Sequence, residues 1–300
     1  MVNRKKRGGI SMTFSEKTGA AVIYIFLFSF CVVCVFPFLN VFFKSISDEA
    51  SVLAGEIKYW PKNVNWNAYR YVLSQKIIYQ TFGNTLFVVV IGTFLAILIN
   101  SMMAYCLSRK RFLEQGIILK LHIFTMIFSA GLIPGYLLVR SLGLYNSLWA
   151  LILPALVNPF NLLIIRSFIN NIPESVEEAA KIDGAGHFTI FFTIILPVSK
   201  PVLASMCLFF AVDYWNDFFR ALIFLTSERK FTLQLYLRNL LVSTNDLMFQ
   251  NSIDPLVYGN IAPQSIQNAT IFVSIVPILL VYPFLQRYFV TGITLGSVKG

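Results

Sequence analysis

Long stretches almost free of charge constrain this chain more than any other feature of its sequence. No charged residue occurs between Lys17 and Lys44, or between Lys76 and Arg109. A helix needs about 20 apolar residues to cross the hydrocarbon core of a bilayer. The chain of 300 residues is 57% hydrophobic and 13% charged, whereas soluble domains are about 25% charged. The sequence therefore predicts an all-α polytopic membrane protein.

Six such stretches predict six transmembrane helices, and most of the charged residues lie in the loops between them. The first stretch follows basic residues, as the apolar part of a signal peptide does. It is longer than the roughly 7–15 apolar residues of a signal peptide, so we expect a retained span. The predicted spans cover residues 20–43, 84–106, 121–139, 146–169, 198–222 and 266–289.

Basic residues predict the orientation of these spans. The cluster S-R-K-R at Ser108–Arg111 lies between spans two and three, and Lys and Arg accumulate in short cytoplasmic loops. We therefore expect residues 1–19 and 290–300 to be cytoplasmic tails and residues 173–197 to be a cytoplasmic loop. The net charge of +10 has the same explanation. Nucleic-acid binding is not expected, because no basic stretch is interleaved with stacking aromatic residues.

Several enzyme classes lack their motifs in this sequence. No G-x-x-x-x-G-K-[ST] phosphate loop occurs, so nucleotide chemistry would have to come from a partner. His122 and His187 belong to no H-E-x-x-H zinc motif. Cys31 and Cys34 form a C-x-x-C, but within an apolar run rather than beside a soluble βαβ unit. We expect a chain that is not an enzyme and holds no cofactor or metal of its own.

The predicted cytoplasmic loop combines a short acidic helix, a glycine turn and an apolar strip. Pro173 suits the first turn of a helix, and acidic residues in the turns that follow interact favourably with the helix dipole. Ala179 and Ala180 are small helix formers that let another surface approach closely. Gly184 can adopt a positive φ and turn the chain. These properties fit an ordinary amphipathic loop as well as a surface offered to a cytoplasmic partner.

The same loop contains the pattern E-A-A, three residues, G, nine residues, I-x-L-P, from Glu178 to Pro197. This EAA motif resembles the loop that marks the membrane subunits of ATP-binding cassette (ABC) importers, and the resemblance implies the type I ABC importer fold. In that family the loop forms a coupling helix, which docks in a groove of the ATPase subunit. By this resemblance the ATPase-coupling residues are Glu177, Glu178, Ala179, Ala180, Asp183 and Gly184.

Three further segments resemble the carbohydrate-uptake branch of these permeases, which includes the second membrane subunit of the maltose importer. They are the run Phe128–Pro154, the motif Y-W-N-D-F-F at Tyr214–Phe219, and the C-terminal segment Thr291–Gly300. The F-S-A-G-L-I-P at the start of the first run is most similar to permeases for oligosaccharides and polysaccharide fragments in Gram-positive bacteria. The resemblance covers nearly the whole chain, from Ala20 to Gly300.

The resemblance also implies an assembly and a mechanism. The chain would pair with a second, homologous permease in the bacterial cytoplasmic membrane. Two ATPase subunits would bind ATP and Mg²⁺, and an extracytoplasmic binding protein would deliver the sugar. Closure of the ATPase pair would push the coupling helices together and open the cavity outward. Glycines and prolines within spans three, four and six are compatible with hinged helices.

Candidate substrate residues follow from the chemistry of sugar binding. Sugars need aromatic faces and planar hydrogen-bonding groups in an otherwise apolar cavity. The outer part of span five supplies these groups, and acids near a membrane often mark a pathway or a partner. Alternatively, the acids cap the end of the helix and Asp217 pairs with Arg220. The predicted pathway residues are Asp213, Tyr214, Trp215, Asn216 and Asp217, with Tyr136, Asn158 and Asn161 on the kinked spans as weaker candidates.

Two other transport functions remain open from the sequence. A secondary transporter would usually carry ion-coupling acids at mid-span and an internal repeat. Here the mid-span regions lack acids except near Asp213, and no half of the sequence is duplicated. An ABC permease for another solute, such as an amino acid or phosphate, would share the EAA loop. Only the three segments similar to the carbohydrate branch favour a sugar over such a solute.

Overall fold

Helices form all of the regular secondary structure in residues 14–109, 112–245 and 263–297, which the computed structural model describes. The predicted all-α class is therefore confirmed. Short 3-10 turns at Leu153–Ala155 and Glu228–Lys230 and a π-helical turn at Phe191–Ile195 accompany the α-helices. The α-helices are α1 (Phe14–Ser45), α2 (Glu49–Leu53), α3 (Asn67–Ser74), α4 (Lys76–Leu107), α5 (Gln115–Ile127), α6 (Leu132–Ser141), α7 (Trp149–Ile152), α8 (Pro159–Ile169), α9 (Glu174–Ile182), α10 (His187–Ile190), α11 (Leu196–Val198), α12 (Lys200–Asn216), α13 (Phe219–Phe224), α14 (Leu233–Asn245) and α15 (Pro263–Ser297).

Parts of the predicted segments lie outside the described residues. These parts are residues 1–13 of the N-terminal tail, residues 298–300 of the C-terminal tail, and Lys110 and Arg111 of the basic cluster.

Three described helices are long and apolar enough to cross a membrane: Thr18–Ser45, Lys76–Leu107 and Pro263–Leu280. Three bent helix pairs meet the same test of length and composition, which raises the total to six if each pair is one span. No residue in the most apolar window of α1 is buried within the protein. A helix whose whole circumference is apolar and exposed is suited to lipid rather than to water.

The third predicted span is interrupted within its bounds. The helix pair α5 and α6 meets at an angle of 118°, so this region forms either a broken span or a re-entrant loop. The break contains Gly131, whose φ of 87° lies in the left-handed region that favours glycine. The sequence indicated a kink at this position, but not its angle.

The two other bent pairs have angles of 50°, within predicted span four, and 82°, where His187–Val198 of the predicted cytoplasmic loop meets α12 of predicted span five. Within span four, α8 starts at Pro159, and the Asn158 side chain accepts hydrogen bonds from the first N–H groups of the helix. Span five was predicted to run from 198 to 222, but α12 ends at Asn216. Asp217 leaves the helical conformation there, and its side chain caps the next turn at the Arg220 N–H, 3.1 Å away.

The chain divides into two compact units. The described residues of the first are 14–70 and 263–272. In this unit the end of α1 is tied to the segment that follows it, because the Asn40 side chain donates to the Lys58 carbonyl at 2.8 Å. The Ser45 and Tyr69 hydroxyls share a hydrogen bond of 2.8 Å.

The second unit is built around α4, which packs against α12 and α8. Gly92 on α4 allows the ring of Tyr214 on α12 to lie against the backbone, since an added Cβ would stand 2.8 Å from that ring. Farther along α4, the buried Asn100 side chain donates to the Leu156 carbonyl at 2.7 Å. The close approach of the Tyr214 ring to the α4 backbone, and the hydrogen bond from α4 to the break between α7 and α8, therefore hold the centre of this unit together.

We expect Gly92→Ala to destabilise the protein by about 1–3 kcal/mol, because the added methyl group overpacks against the buried Tyr214 ring. The matched control is Gly83→Ala in the same helix, where a Cβ would meet nothing within 4 Å. Thermal unfolding of the two variants in detergent should show a lower midpoint only for Gly92→Ala. Equal midpoints would contradict the packing described here.

Candidate functional site

The helix α9 and the turn that ends it form the centre of the predicted coupling loop. Pro173 precedes the helix, and Glu174 and Glu177 lie in its first turn, where the helix dipole favours acids. The helix ends in a Schellman motif. Gly184 has a φ of 82° and donates from its N–H to the Lys181 carbonyl at 3.0 Å, while the Ala185 N–H donates to the Ala180 carbonyl at 2.9 Å.

One face of α9 is exposed and carries most of the predicted coupling residues. Glu178, Ala179, Asp183 and Gly184 are all exposed, whereas Ala180 is partly buried against the core. Ile182 on the same helix is 86% exposed. A small, acidic surface with one projecting aliphatic side chain is therefore open to a partner.

Glu177 does not belong to that exposed face. Its side chain is 5% exposed and forms an ion pair with Arg109, which follows the end of α4. Glu177 is one of the predicted ATPase-coupling residues, but its carboxylate is already bound by the chain's own arginine. Glu177 and the partly buried Ala180 are three residues apart and share the inward face of α9.

The apolar strip after the glycine turn packs on the same end of α4. Phe191 is buried, and its ring centroid lies 5.6 Å from that of Tyr105. Ile190 and Ile195 are also buried, whereas Phe188 is 71% exposed. Glu177 and Phe191 thus anchor the loop on both sides of its turn.

A second candidate site lies where α12 ends. Arg220 contacts two carboxylates: its Nε lies 2.6 Å from Asp217 Oδ2, and one terminal nitrogen lies 2.9 Å from Asp213 Oδ2. The Asp217 side chain is 9% exposed and that of Asp213 is 59% exposed. These groups border an open cavity of about 460 Å³. The lining residues are Phe209, Val212, Asp213, Asn216, Asp217, Phe218, Phe219 and Arg220.

The aromatic residues of the Y-W-N-D-F-F motif divide between the cavity and the interior. Tyr214 is 2% exposed, and its hydroxyl donates to the Ile152 carbonyl at 3.3 Å. Trp215 is partly buried and meets Phe82 edge to face at 6.3 Å between ring centroids. Tyr214 and Trp215 do not line this cavity, although the sequence grouped them with Asp213 and Asn216 as pathway residues.

The three weaker candidates lie elsewhere in the same unit. Asn158 caps α8, and Asn161 is buried in the first turn of that helix. Tyr136 is partly buried and stacks parallel to Phe224, with ring centroids 6.3 Å apart. None of the three lines the cavity at the end of α12. Among the described residues, no group of three or more His, Cys, Asp or Glu side chains could hold a metal ion.

A family model and several known proteins match this chain. The model of the family described as "Binding-protein-dependent transport system inner membrane component" matches residues 96–295. The polygalacturonan/rhamnogalacturonan transport system permease protein of Bacillus subtilis (strain 168) is 42% identical over 280 residues, which are 93% of this chain and 97% of that protein. The arabinooligosaccharides transport system permease protein of Halalkalibacterium halodurans is 31% identical over 273 residues, 89% of this chain and 92% of that protein.

A solved structure shares the fold. It is the crystal structure of a bacterial ABC transporter involved in the import of the acidic polysaccharide alginate. The matched chain is 32% identical in sequence and superposes with a TM-score of 0.85. The match covers 93% of this chain and 99% of that chain.

We expect Asp217→Ala to lower stability by about 1–3 kcal/mol, because the substitution removes a largely buried carboxylate that pairs with Arg220 and caps its N–H. The matched control, Asp213→Ala, removes an exposed partner of the same arginine and should cost less than about 1 kcal/mol. Thermal unfolding of both variants in detergent measures the difference. A larger loss for Asp213→Ala would contradict this assignment.

Proposed function

We propose, since this chain belongs to the family of binding-protein-dependent transport system inner membrane components, that it is the permease subunit of an ATP-driven importer and forms half of the translocation pathway for a carbohydrate. The family and the fold predicted from the sequence are thereby confirmed. The observation that carries the proposal is similarity over about nine tenths of the chain to permeases named for polygalacturonan/rhamnogalacturonan and for arabinooligosaccharides. The transported solute is accordingly an oligosaccharide or a polysaccharide fragment.

The exposed face of α9 supports the coupling role within this proposal. Glu178 offers a carboxylate and Ala179 leaves room for close approach, while Asp183 and Gly184 present the turn. We propose that this face docks on a separate ATPase subunit, which binds ATP and Mg²⁺. Movement of the ATPase would then reach the permease through α9.

The cavity at the end of α12 is a candidate binding place for the solute. Asp213 and Asn216 are exposed there, and Phe209 and Phe219 supply aromatic surface. We propose that these side chains contact sugar hydroxyls and ring faces. Arg220 is neutralised by two carboxylates, so its role is to hold the cavity wall rather than to attract an anion.

The proposed assembly has further members. A second, homologous permease completes the pathway, and an extracytoplasmic binding protein delivers the sugar. The complex resides in a bacterial cytoplasmic membrane with both termini of this chain in the cytoplasm. The alternative is an ABC permease for a different solute, and a secondary transporter is a more distant alternative.

Gentle solubilisation of native membranes, followed by purification of this chain, tests the proposal directly. We expect an ATPase, a second permease and a binding protein to copurify, and the binding protein can then be screened against neutral and acidic oligosaccharides. Recovery of the chain without any ATPase would contradict the importer assignment and favour a secondary transporter. A binding protein that prefers an amino acid or phosphate would overturn the carbohydrate assignment alone.

We expect Glu178→Lys and Gly184→Asp to leave the protein inserted in the membrane but to uncouple ATP hydrolysis from uptake. The first change reverses a charge on the exposed face of α9, and the second puts a side chain on a left-handed residue that shapes the turn. Sugar uptake and ATP hydrolysis are measured together in proteoliposomes. The control is Glu114→Lys, an exposed acid outside the coupling loop. Normal uptake in both variants would exclude the coupling assignment.

A further inference from the structure

Three elements of the second unit converge on the C-terminal end of α4. Arg109 forms its ion pair with Glu177 of α9. Tyr105 packs against Phe191, which follows the glycine turn. The Arg166 Nε of α8 donates to the Leu107 carbonyl at 2.7 Å. The predicted coupling loop is therefore fastened to a long helix by side-chain contacts as well as by its own chain connections.

The ion pair is the most specific of these contacts. The side chain of Glu177 is 5% exposed and that of Arg109 is 19% exposed, so water screens the pair only weakly. The Arg109 guanidinium also lies over the Tyr105 ring, 4.8 Å from its centroid. Removing either charge would leave the other largely buried without its partner, which is costly in a protein interior.

The N-terminal part of α4 is fastened as directly, about two turns after the helix begins at Lys76. The Asn84 side chain donates to the Arg229 and Phe231 carbonyls at 2.8 and 3.0 Å. The Thr85 hydroxyl accepts from the Leu233 N–H at 2.8 Å. The helix has 32 residues and is about 48 Å long. It thus joins the coupling loop to the segment that precedes α14.

We propose that Arg109 is a positioning residue for energy coupling. Its ion pair with Glu177 makes α9 and α4 move as one body, so that a displacement of α9 reaches residues 229–233, which bind Asn84 and Thr85 in the N-terminal part of α4. Glu177 and Glu178 then have separate tasks. Glu178 faces the ATPase, and Glu177 fastens the helix to its own subunit. This inference rests on the proposed function, since it assumes that α9 receives the motion of an ATPase.

Charge reversal tests the pair in the complete importer, reconstituted with its ATPase, second permease and binding protein. We expect Arg109→Glu and Glu177→Arg each to lower the sugar transported per ATP hydrolysed by about tenfold, a size typical of coupling between two sites. The double variant restores the pairing with its charges exchanged and should return the ratio to within about threefold of the wild type. Arg109→Lys keeps the charge and should lose less than Arg109→Glu.

The control is Arg140→Glu, a charge reversal at an exposed residue at the end of α6, which should leave the ratio unchanged. Failure of the double variant to recover, with both single variants impaired, would mean that Glu177 acts on another group and would overturn the inference. Wild-type ratios in both single variants would overturn it as well. If a single variant fails to accumulate, Glu177→Gln and the double variant decide the question by the same ratio.

The same experiment separates this inference from the function on which it rests. Absence of ATP-dependent sugar uptake by the wild-type complex would contradict the importer assignment itself. Coupled uptake by the wild type, together with single variants that behave like it, would contradict only the role of Arg109.

Discussion

No water is available in the hydrocarbon core of a bilayer to bond a backbone N–H or C=O group, so a chain that crosses it must satisfy these groups internally. The long helices of this protein do so along their length. Where a helix is interrupted, polar side chains form the hydrogen bonds that the free backbone groups would otherwise lack. Asn158 accepts from the N–H groups that open α8, and Asp217 accepts from the Arg220 N–H after α12. The breaks are therefore the places where polar side chains gather.

The same constraint decides which polar side chains hold helices together and which stay exposed. Asn100 and Tyr214 lie deep in the second unit, and each donates to a backbone carbonyl of another element. Thr85 accepts from the start of α14. Such residues look like pathway residues in a sequence, yet their hydrogen bonds hold helices together. Asp213 and Asn216 differ from them, because both are exposed at the edge of an open cavity.

The two neighbouring acids of α9 show how one short helix can serve two surfaces. Consecutive residues of a helix point about 100° apart, so Glu177 turns inward while Glu178 turns outward. The inward acid meets Arg109, and the outward acid stays exposed. A helix that is fastened on one face and open on the other can receive a force on the open face and pass it on through the fastened one.

The sequence by itself determined the helical class, the family, the position of the EAA loop and the interruptions near Gly131 and Pro159, but not the end of α12 at Asn216. These properties depend on apolar runs, on one contiguous motif and on residues that interrupt a helix locally. The bend of 118° between α5 and α6 did not follow from it, because an angle depends on what the two helices pack against.

The tertiary structure alone decided which candidate residues are buried inside the protein and which are exposed. Tyr214 and Trp215 turned out to pack inside, and Glu177 turned out to bind Arg109 rather than to face outward. Arg109 and Glu177 are far apart in the chain, and the local sequence around either residue does not indicate that they pair. Only the packing of α8, α9 and α12 around α4 brings them together, because it sets which face of each helix is covered.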